Sequence, residues 1–366
     1  MKTRIILVGG FLGAGKTTLL WEVARKFSEL DKQVGLITND QAAELVDTAF
    51  LELANGIVSE VSGSCFCCNF NGLTDAISHM KAEKQVDIII AEPVGSCTDL
   101  SATILQPLKE QFEEDLLLAP LSVLIDPERL SDILDGGTAG LHSSAAYIMR
   151  KQLEEADIIA ISKIDLLTRD FVETLKRRAA EEWPTATILA MSAKSGEGLE
   201  MWLNEVLHRV DAGTHLAEVD YDIYAEGEAV LGWLNTSVVL QSAAADWDIF
   251  AKNLLNALSR RFDHLHSAVG HVKLLIEASD RFVIGNVTGK LDSLNIRGSA
   301  GVGKEAKLTL NARVQMDPDT LKTIILEEIS TACGNDVTSI PIALKSLSPG
   351  RPNPTFRYDH IITKSS

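Results

Sequence analysis

Cysteine is scarce in this chain, and what there is lies bunched. Only five of 366 residues are cysteine (Cys65, Cys67, Cys68, Cys97 and Cys333), too few and too clustered for a disulfide framework, so a reducing, cytoplasmic setting is expected. Net positive charge is also missing. Thirty-four Lys and Arg face 51 Asp and Glu, a formal −17, which argues against a nucleic-acid groove or an anionic membrane surface as the main partner. Long apolar runs are absent too. The longest, Leu116–Ile125, contains a Pro and a Ser and is too short to span a bilayer. Met1-Lys2-Thr3-Arg4 followed by Ile5–Val8 has the outline of a leader, but it runs into Gly9-Gly10 and Lys16 without a small-residue cleavage site, so no cleaved leader is expected.

What remains is an ordinary globular composition, 46 % apolar and 23 % charged, long enough for two domains of about 150 residues or somewhat more. Short apolar runs at Arg4–Val8, Gln33–Asn39, Ile57–Ser62, Val86–Glu92, Pro120–Asp126, Asp157–Ser162 and Ala186–Ser192 read as strands. Amphipathic helices are expected between most of them, at Thr17–Leu30, Gly72–Ala82, Tyr147–Glu155, Asp170–Glu182 and Leu199–Val210. This alternation predicts an α/β domain with a mainly parallel sheet over residues 1–213. After a linker at Asp211–His215 the order becomes β-α-β-β-β-α-β, predicting a smaller α+β, ferredoxin-like domain over 218–366. Asp292–Glu305 and the tail Pro349–Ser366 are expected to be irregular.

Gly10-Phe-Leu-Gly-Ala-Gly15-Lys16-Thr17 fits GxxxxGK[ST] and stands between an apolar strand and a helix, the context a P-loop requires. Backbone N–H groups of Gly10, Gly13, Ala14, Gly15, Lys16, Thr17 and Thr18 would cradle phosphates at the helix N-terminus. Lys16 would reach the β- and γ-phosphates, and Thr17 would take one Mg²⁺ position. Gly298–Lys304 repeats the glycine spacing, but it continues into Glu305 and lacks a preceding strand, so it reads as a loop.

Base choice is written in Ser162-Lys163-Ile164-Asp165, at the end of a strand. The Asp165 carboxylate can accept from guanine N1–H and its exocyclic amine, and the Lys163 stem would lie on the base. Met191-Ser192-Ala193-Lys194, after the next strand, would offer backbone N–H groups to guanine O6, so GTP is the expected nucleotide. Asp40 and Glu92 end strands on the phosphate side and are candidate Mg²⁺ partners, with Glu92 also placed to orient the attacking water. Glu92-Pro-Val-Gly95 has the form of a switch whose Gly95 amide senses the γ-phosphate. No Gln or Arg finger is assignable, so intrinsic turnover is expected on the order of 10⁻⁴–10⁻² s⁻¹.

Cys65-Phe66-Cys67-Cys68 places three thiols in four residues, a donor set suited to Zn²⁺, Cu⁺ or a similar ion. A fourth ligand is not evident; Glu44, Asp47 or a partner's side chain are candidates. Buried packing, a redox pair and an iron–sulfur site are the competing readings. Cys97 stands just past Glu92 and could approach, although a single Cys there reads first as packing. His264, His266 and His271 form a weaker candidate cluster in a segment where solvated polar residues are usual.

Taken together, GGFLGAGKTT at 9–18, Asn39-Asp40, CFCC at 65–68, EPVG at 92–95 and SKID at 162–165 resemble the CobW-type P-loop GTPases, whose relatives include the urease and hydrogenase nickel accessory GTPases. The resemblance covers about residues 1–210. It implies a GTP-hydrolysing metallochaperone, with Cys65, Cys67 and Cys68 as ligands for a transition metal (Zn²⁺ or Co²⁺) and Lys16, Thr17, Asp40 and Glu92 as the nucleotide–Mg²⁺ set. The client it implies is a metalloprotein or corrinoid-related protein, and a homodimer is compatible with it. Ser162 departs from the usual Asn, Pro93-Val94 departs from the common switch sequence, and no long His-rich run is present. The rival reading is a GTPase regulator gating a cofactor-dependent, for example corrinoid, enzyme without metal transfer.

Overall fold

The computed structural model describes residues 2–29, 32–41, 45–53, 57–289 and 294–363. Its first part alternates strand and helix. β1 (Thr3–Gly9), α1 (Lys16–Glu29), β2 (Val34–Asp40), α2 (Val46–Glu52), β3 (Ile57–Ser62), α3 (Phe70–Lys84), β4 (Ile88–Glu92) and α4 (Gln106–Gln111) come first. They are followed by β5 (Leu116–Leu118), β6 (Ser122–Ile125), α5 (Pro127–Leu134), α6 (Ser143–Glu154), β7 (Ile158–Ile161), α7 (Arg169–Glu182), β8 (Thr187–Ala190), α8 (Leu199–His208) and α9 (Tyr221–Ala229).

The strands form one parallel sheet in the order β3-β2-β4-β1-β6-β7-β8, with β5 also beside β1. Alternation along β1 sends Ile5 and Leu7 into one core and Ile6 and Val8 into the other, so both faces are covered. The strand expected at Pro120–Asp126 is present as β6, and a short further strand, β5, precedes it. Pro120, between them, has no N–H to give the ladder.

Four short helices, α2, α4, α5 and α9, escaped the periodicity reading because one or two turns show too little of the 3.6-residue repeat. α5 did carry a signal. Asp126 caps it by accepting from the Glu128 and Arg129 N–H groups, and Pro127 opens it. α9 lies beyond the linker yet packs on α6 of the first sheet, so closely that a Cβ at Gly227 would stand 2.4 Å from Ser144 O. The linker itself is irregular but pinned: Gly213 N and Thr214 N donate to the buried Asp157 carboxylate at 2.6 and 2.8 Å.

The second part is β9 (Gly232–Asp246), α10 (Trp247–His264), β10 (Val269–Ala278), β11 (Arg281–Val287), β12 (Asn295–Ser299), β13 (Val302–Val314), α11 (Pro318–Cys333) and β14 (Val337–Leu347). Its antiparallel sheet runs β12-β11-β10-β13-β9-β14. Without the β11–β12 extension, the four strands β10-β13-β9-β14 and two helices have the split β-α-β, ferredoxin-like order. α10 and α11 cover one face, where Leu254, Leu258 and Ile325 join Leu274 and Leu310 in the core.

One expectation of irregularity needs correction. Residues 295–299 and 302–305 are strand, so the second glycine-rich stretch turns a hairpin around Ala300-Gly301 rather than forming a loop; residues 290–293 lie outside the description. The tail after Ser348 has no regular structure, but it crosses back over the first sheet's helices, with Phe356 edge-on to Phe70.

Candidate functional site

β1 ends on the P-loop at the C-terminal edge of the parallel sheet, where open α/β folds bind ligands. Gly10 has φ +126°, and a Cβ there would strike Leu124 O at 2.2 Å; only glycine fits. The loop then feeds α1, whose first residues are Lys16 and Thr17. Lys16 Nζ donates to Gly10 O at 2.8 Å and stands 3.8 Å from Glu92. Thr17 Oγ1 donates to the Glu92 carboxylate at 3.1 and 3.2 Å. Burial pushes Glu92 above the ordinary carboxylate range and Lys16 below the ordinary lysine range, as expected for charged groups shielded from water. Gly95 passes so close that a Cβ would meet Leu12 at 2.7 Å and Lys16 Nζ at 3.1 Å.

Lys16, Thr17, Glu92 and Gly95 line one cleft of about 450 Å³ together with Gly13, Gly15, Thr18, Asp40, Ser162, Lys163, Asp165, Ser192, Ala193 and Lys194, while Gly10 is not part of its lining. At its base end, Ser192 Oγ donates to Asp165 Oδ1 at 2.7 Å and so joins the two segments read as guanine elements. Ser162 Oγ, where an amide was the usual choice, donates to Ile125 O at 3.0 Å. Lys163 is held by Asp126 at 2.7 Å. Ala14 is buried just behind the cleft.

Two acidic residues weighed as metal ligands are engaged by cations of the second sheet. Asp40 is bound by Arg313 of β13 at 2.5 Å and by its neighbour Gln41 N, so in this arrangement it belongs to an ion pair between the two sheets. Asp47, weighed as a ligand for the cysteine site, instead lines the nucleotide cleft, where Lys273 holds it at 2.6 Å. Burial opposes its ionisation, but Lys273 prevails and Asp47 sits below the ordinary range. Glu44, the other acidic candidate, lies outside the described residues.

The cysteines form a second, sulfur-lined centre beside α3. Cys68 N and Asn69 N both donate to Cys65 O, closing a tight turn, and Asn69 caps α3. That turn carries the Cys65 and Cys67 sulfurs to 2.9 Å and those of Cys67 and Cys68 to 3.7 Å, all as free thiols. Among the described residues this is the only group of three His, Cys, Asp or Glu whose ligand atoms all lie within 4.8 Å of one another. Cys97 is not one of these three, but its buried thiol stands near enough to interact with those of Cys65 and Cys67. Cys65 accepts from its neighbours and is held well below the usual thiol range, while Cys67 is pushed well above it and Cys68 to about 11. His264 and His266 are exposed and His271 is buried in the nucleotide cleft, so the three histidines make no cluster.

A sequence profile for the CobW/HypB/UreG nucleotide-binding domain matches residues 4–190. The chain belongs to that family. It is similar to the zinc chaperone YeiR of Escherichia coli (strain K12), 29 % identical over 180 residues that cover 48 % of this chain and 51 % of that protein. It is also similar to zinc-regulated GTPase metalloprotein activator 1 of Saccharomyces cerevisiae, 24 % identical over 196 residues covering 48 % and 45 %. The chain thus spans about half the length of the curated relatives it matches. Among solved structures, HypB from Helicobacter pylori in complex with nickel overlays with a TM-score of 0.43 at 20 % identity, over 60 % of this chain and 91 % of that one.

Within this CobW/HypB/UreG chain, several residues organise both centres, and apart from Asn39, part of the Asn39-Asp40 pair, they carried no sequence signal. Asn39 bolts the cysteine loop to β2: its Nδ2 donates to Val61 O and Ser64 O, and its Oδ1 accepts from Phe66 N. Gln152 of α6 donates to Gly95 O and Cys97 O at 3.0 and 2.7 Å, and Ser96 donates to the buried Glu228 of α9 at 2.6 Å. The tail then straps the sulfur loop, with Thr355 N donating to Cys67 O and Asn353 N to Cys68 Sγ. Arg357 of the same tail pairs with Asp99 at 2.7 Å, two residues past Cys97.

Proposed function

We propose that the protein is a GTP-hydrolysing metallochaperone whose cargo is a Zn²⁺-like ion held by Cys65, Cys67, Cys68 and Cys97. The observation that carries this reading is the convergence of free thiols in a chain of the CobW/HypB/UreG family, with one thiol borne on the segment that leaves the nucleotide cleft. Thiolates suit a soft or borderline cation, and the similarity to a zinc chaperone of E. coli and a zinc-regulated GTPase of yeast favours zinc over cobalt. The client is a metalloprotein, with a corrinoid-related system as one candidate.

GTP would lie with its phosphates in the P-loop and its base between Lys163 and Ser192-Ala193, reading Asp165. Thr17 Oγ1 and Glu92, hard oxygen donors at 3.1 Å from one another, fit a Mg²⁺ ion. When bound, Mg²⁺ would neutralise β- and γ-phosphate charge. Lys16 binds the same oxygens, and Gly95, packed against Lys16, registers whether a γ-phosphate is present.

Gly95 and Cys97 are two residues apart on one loop, so nucleotide state and sulfur geometry are linked. Linkage then requires metal and GTP to alter each other's affinity by the same factor. The test is a metal-competition titration of reduced protein loaded with GDP or a non-hydrolysable GTP analogue. A stoichiometric ion lost in the Cys65/Cys67/Cys68→Ser variant, with affinity that differs between nucleotides, supports the reading. Unchanged metal content in that variant, or equal affinity in both states, overturns it. Lys16→Ala is expected to abolish hydrolysis, and wild-type turnover in that variant would remove the P-loop assignment.

A further inference from the structure

The second sheet closes the nucleotide cleft with a polar face. Along β10, His271 and Lys273 alternate with Val272 and Leu274, and in register they oppose Arg313 and Asn311 of β13, so all four side chains share one face. That face looks onto the P-loop. His271 is 7 % exposed, lines the cleft, and has a buried Nδ1 without a hydrogen-bond partner. Lys273 Nζ reaches to 3.4 Å from Thr17 Oγ1 and is held there by both oxygens of Asp47 at 2.6 Å.

The other cations lining the cleft are positioned for other tasks. Lys16 is the P-loop lysine, Lys163 is paired with Asp126, Arg313 with Asp40 and Arg297 with Glu22, and Lys194 lies at the base end. Among the described residues, Lys273 alone combines a place beside the phosphate-side hydroxyl with a partner, Asp47, that a dianionic γ-phosphoryl group together with Mg²⁺-bound β-phosphate can outcompete.

We propose that Lys273 is a catalytic cation supplied in cis by the second domain, which exchanges Asp47 for the γ-phosphoryl oxygens of bound GTP. This deepens the GTP-hydrolysing reading and rests on it. In the step, the water oxygen forms the new bond to phosphorus, and the bond to the β–γ bridging oxygen breaks with its electron pair staying on GDP. The water's protons leave with inorganic phosphate and solvent, and Lys273 remains protonated throughout. An ammonium aimed at oxygens where charge builds stabilises the transition state more than bound GTP, the role that an arginine finger fills elsewhere. The same contact requires the second sheet to be docked, which makes hydrolysis conditional on the closed arrangement of the two domains.

The experiment measures single-turnover GTP hydrolysis, GDP affinity and trapping of a GDP–aluminium fluoride complex on the full chain, for wild type, Lys273→Ala and Lys273→Arg. Lys273→Ala should lose about a hundredfold or more in kcat. It should fail to trap GDP–aluminium fluoride while binding GDP within about threefold of wild type, the signature of a contact made only in the transition state. Lys273→Arg should restore both. A Lys273→Ala protein that hydrolyses and traps as wild type does overturns the proposal. Where Lys273→Ala is unstable because Asp47 is left unpaired, Lys273→Ala/Asp47→Ala is compared with Asp47→Ala: the same loss between them supports a catalytic Lys273, and equal rates reduce it to a structural ion pair. Wild type inactive toward GTP is a different result, since it removes the GTPase reading itself.

Discussion

Thr355 N donates to Cys67 O at 2.8 Å, so a residue of the C-terminal tail is fastened to the middle of the sulfur loop. With Asn353 on Cys68 Sγ and Arg357 on Asp99, this irregular strap lies over the one partly exposed thiol, Cys68. On the proposed metallochaperone reading, metal exchange would need the strap to open locally, and the release rate should depend on these bonds.

Thr355→Pro deletes the donor without changing any ligand. Zinc transfer to a chelator should then quicken by about tenfold, the equivalent of 1.4 kcal/mol of lost closure, while GDP affinity stays as in wild type. Stopped-flow measurement with a chromogenic chelator checks this, and an unchanged release rate would mean the strap does not gate the site.

Metal affinity should rise with pH. Hydrogen bonding to Cys65 keeps Cys67 protonated well above the usual thiol range and Cys68 to about 11, so an ion must displace their protons to bind. Each displaced proton is worth about tenfold in affinity per pH unit. Competition titrations from pH 6 to 8 give the slope, and Cys97→Ser should lower it if Cys97 gives up a proton as a ligand.

Arg313 and Asp40 are both almost fully buried, at 2 and 6 % side-chain exposure. Arg313→Ala would strand a buried carboxylate, a change that typically costs about 3–5 kcal/mol. Burial already pushes Asp40 upward, and without Arg313 it would rise further. A carboxyl whose folded-state pKa exceeds its unfolded value destabilises the fold at higher pH, so the deficit should shrink as pH falls through that pKa toward the unfolded value. Denaturant melts at pH 5 and pH 8 test both the size and the sign.

Asp165→Asn turns an acceptor into a group that also donates, while its partner Ser192 can reorient. Preference should move from GTP toward xanthosine triphosphate, read by competition against labelled GDP. If wild type binds ATP as tightly as GTP, the Ser162 hydroxyl, committed to Ile125 O, has not kept guanine selectivity.

Local sequence determined a good deal of this protein. The P-loop glycines, the ends of β1, β2, β4, β7 and β8, and the three clustered cysteines are contiguous signals, because phosphate cradling and close thiol spacing are satisfied within a few residues of backbone. The strand–helix alternation also carried the parallel sheet, since continuous apolar runs are what two covered faces demand. Tertiary structure alone decided the rest. His271, Lys273, Asn311 and Arg313 alternate with apolar neighbours just as a solvated strand face would, and only the docking of the second sheet turns that face onto the nucleotide cleft. Asp40 passed to Arg313, Asp47 left the cysteines for Lys273, and Cys97 joined sulfurs some thirty positions away, because ion pairs and ligand sets are closed by distance in space, which the order of residues along the chain does not encode.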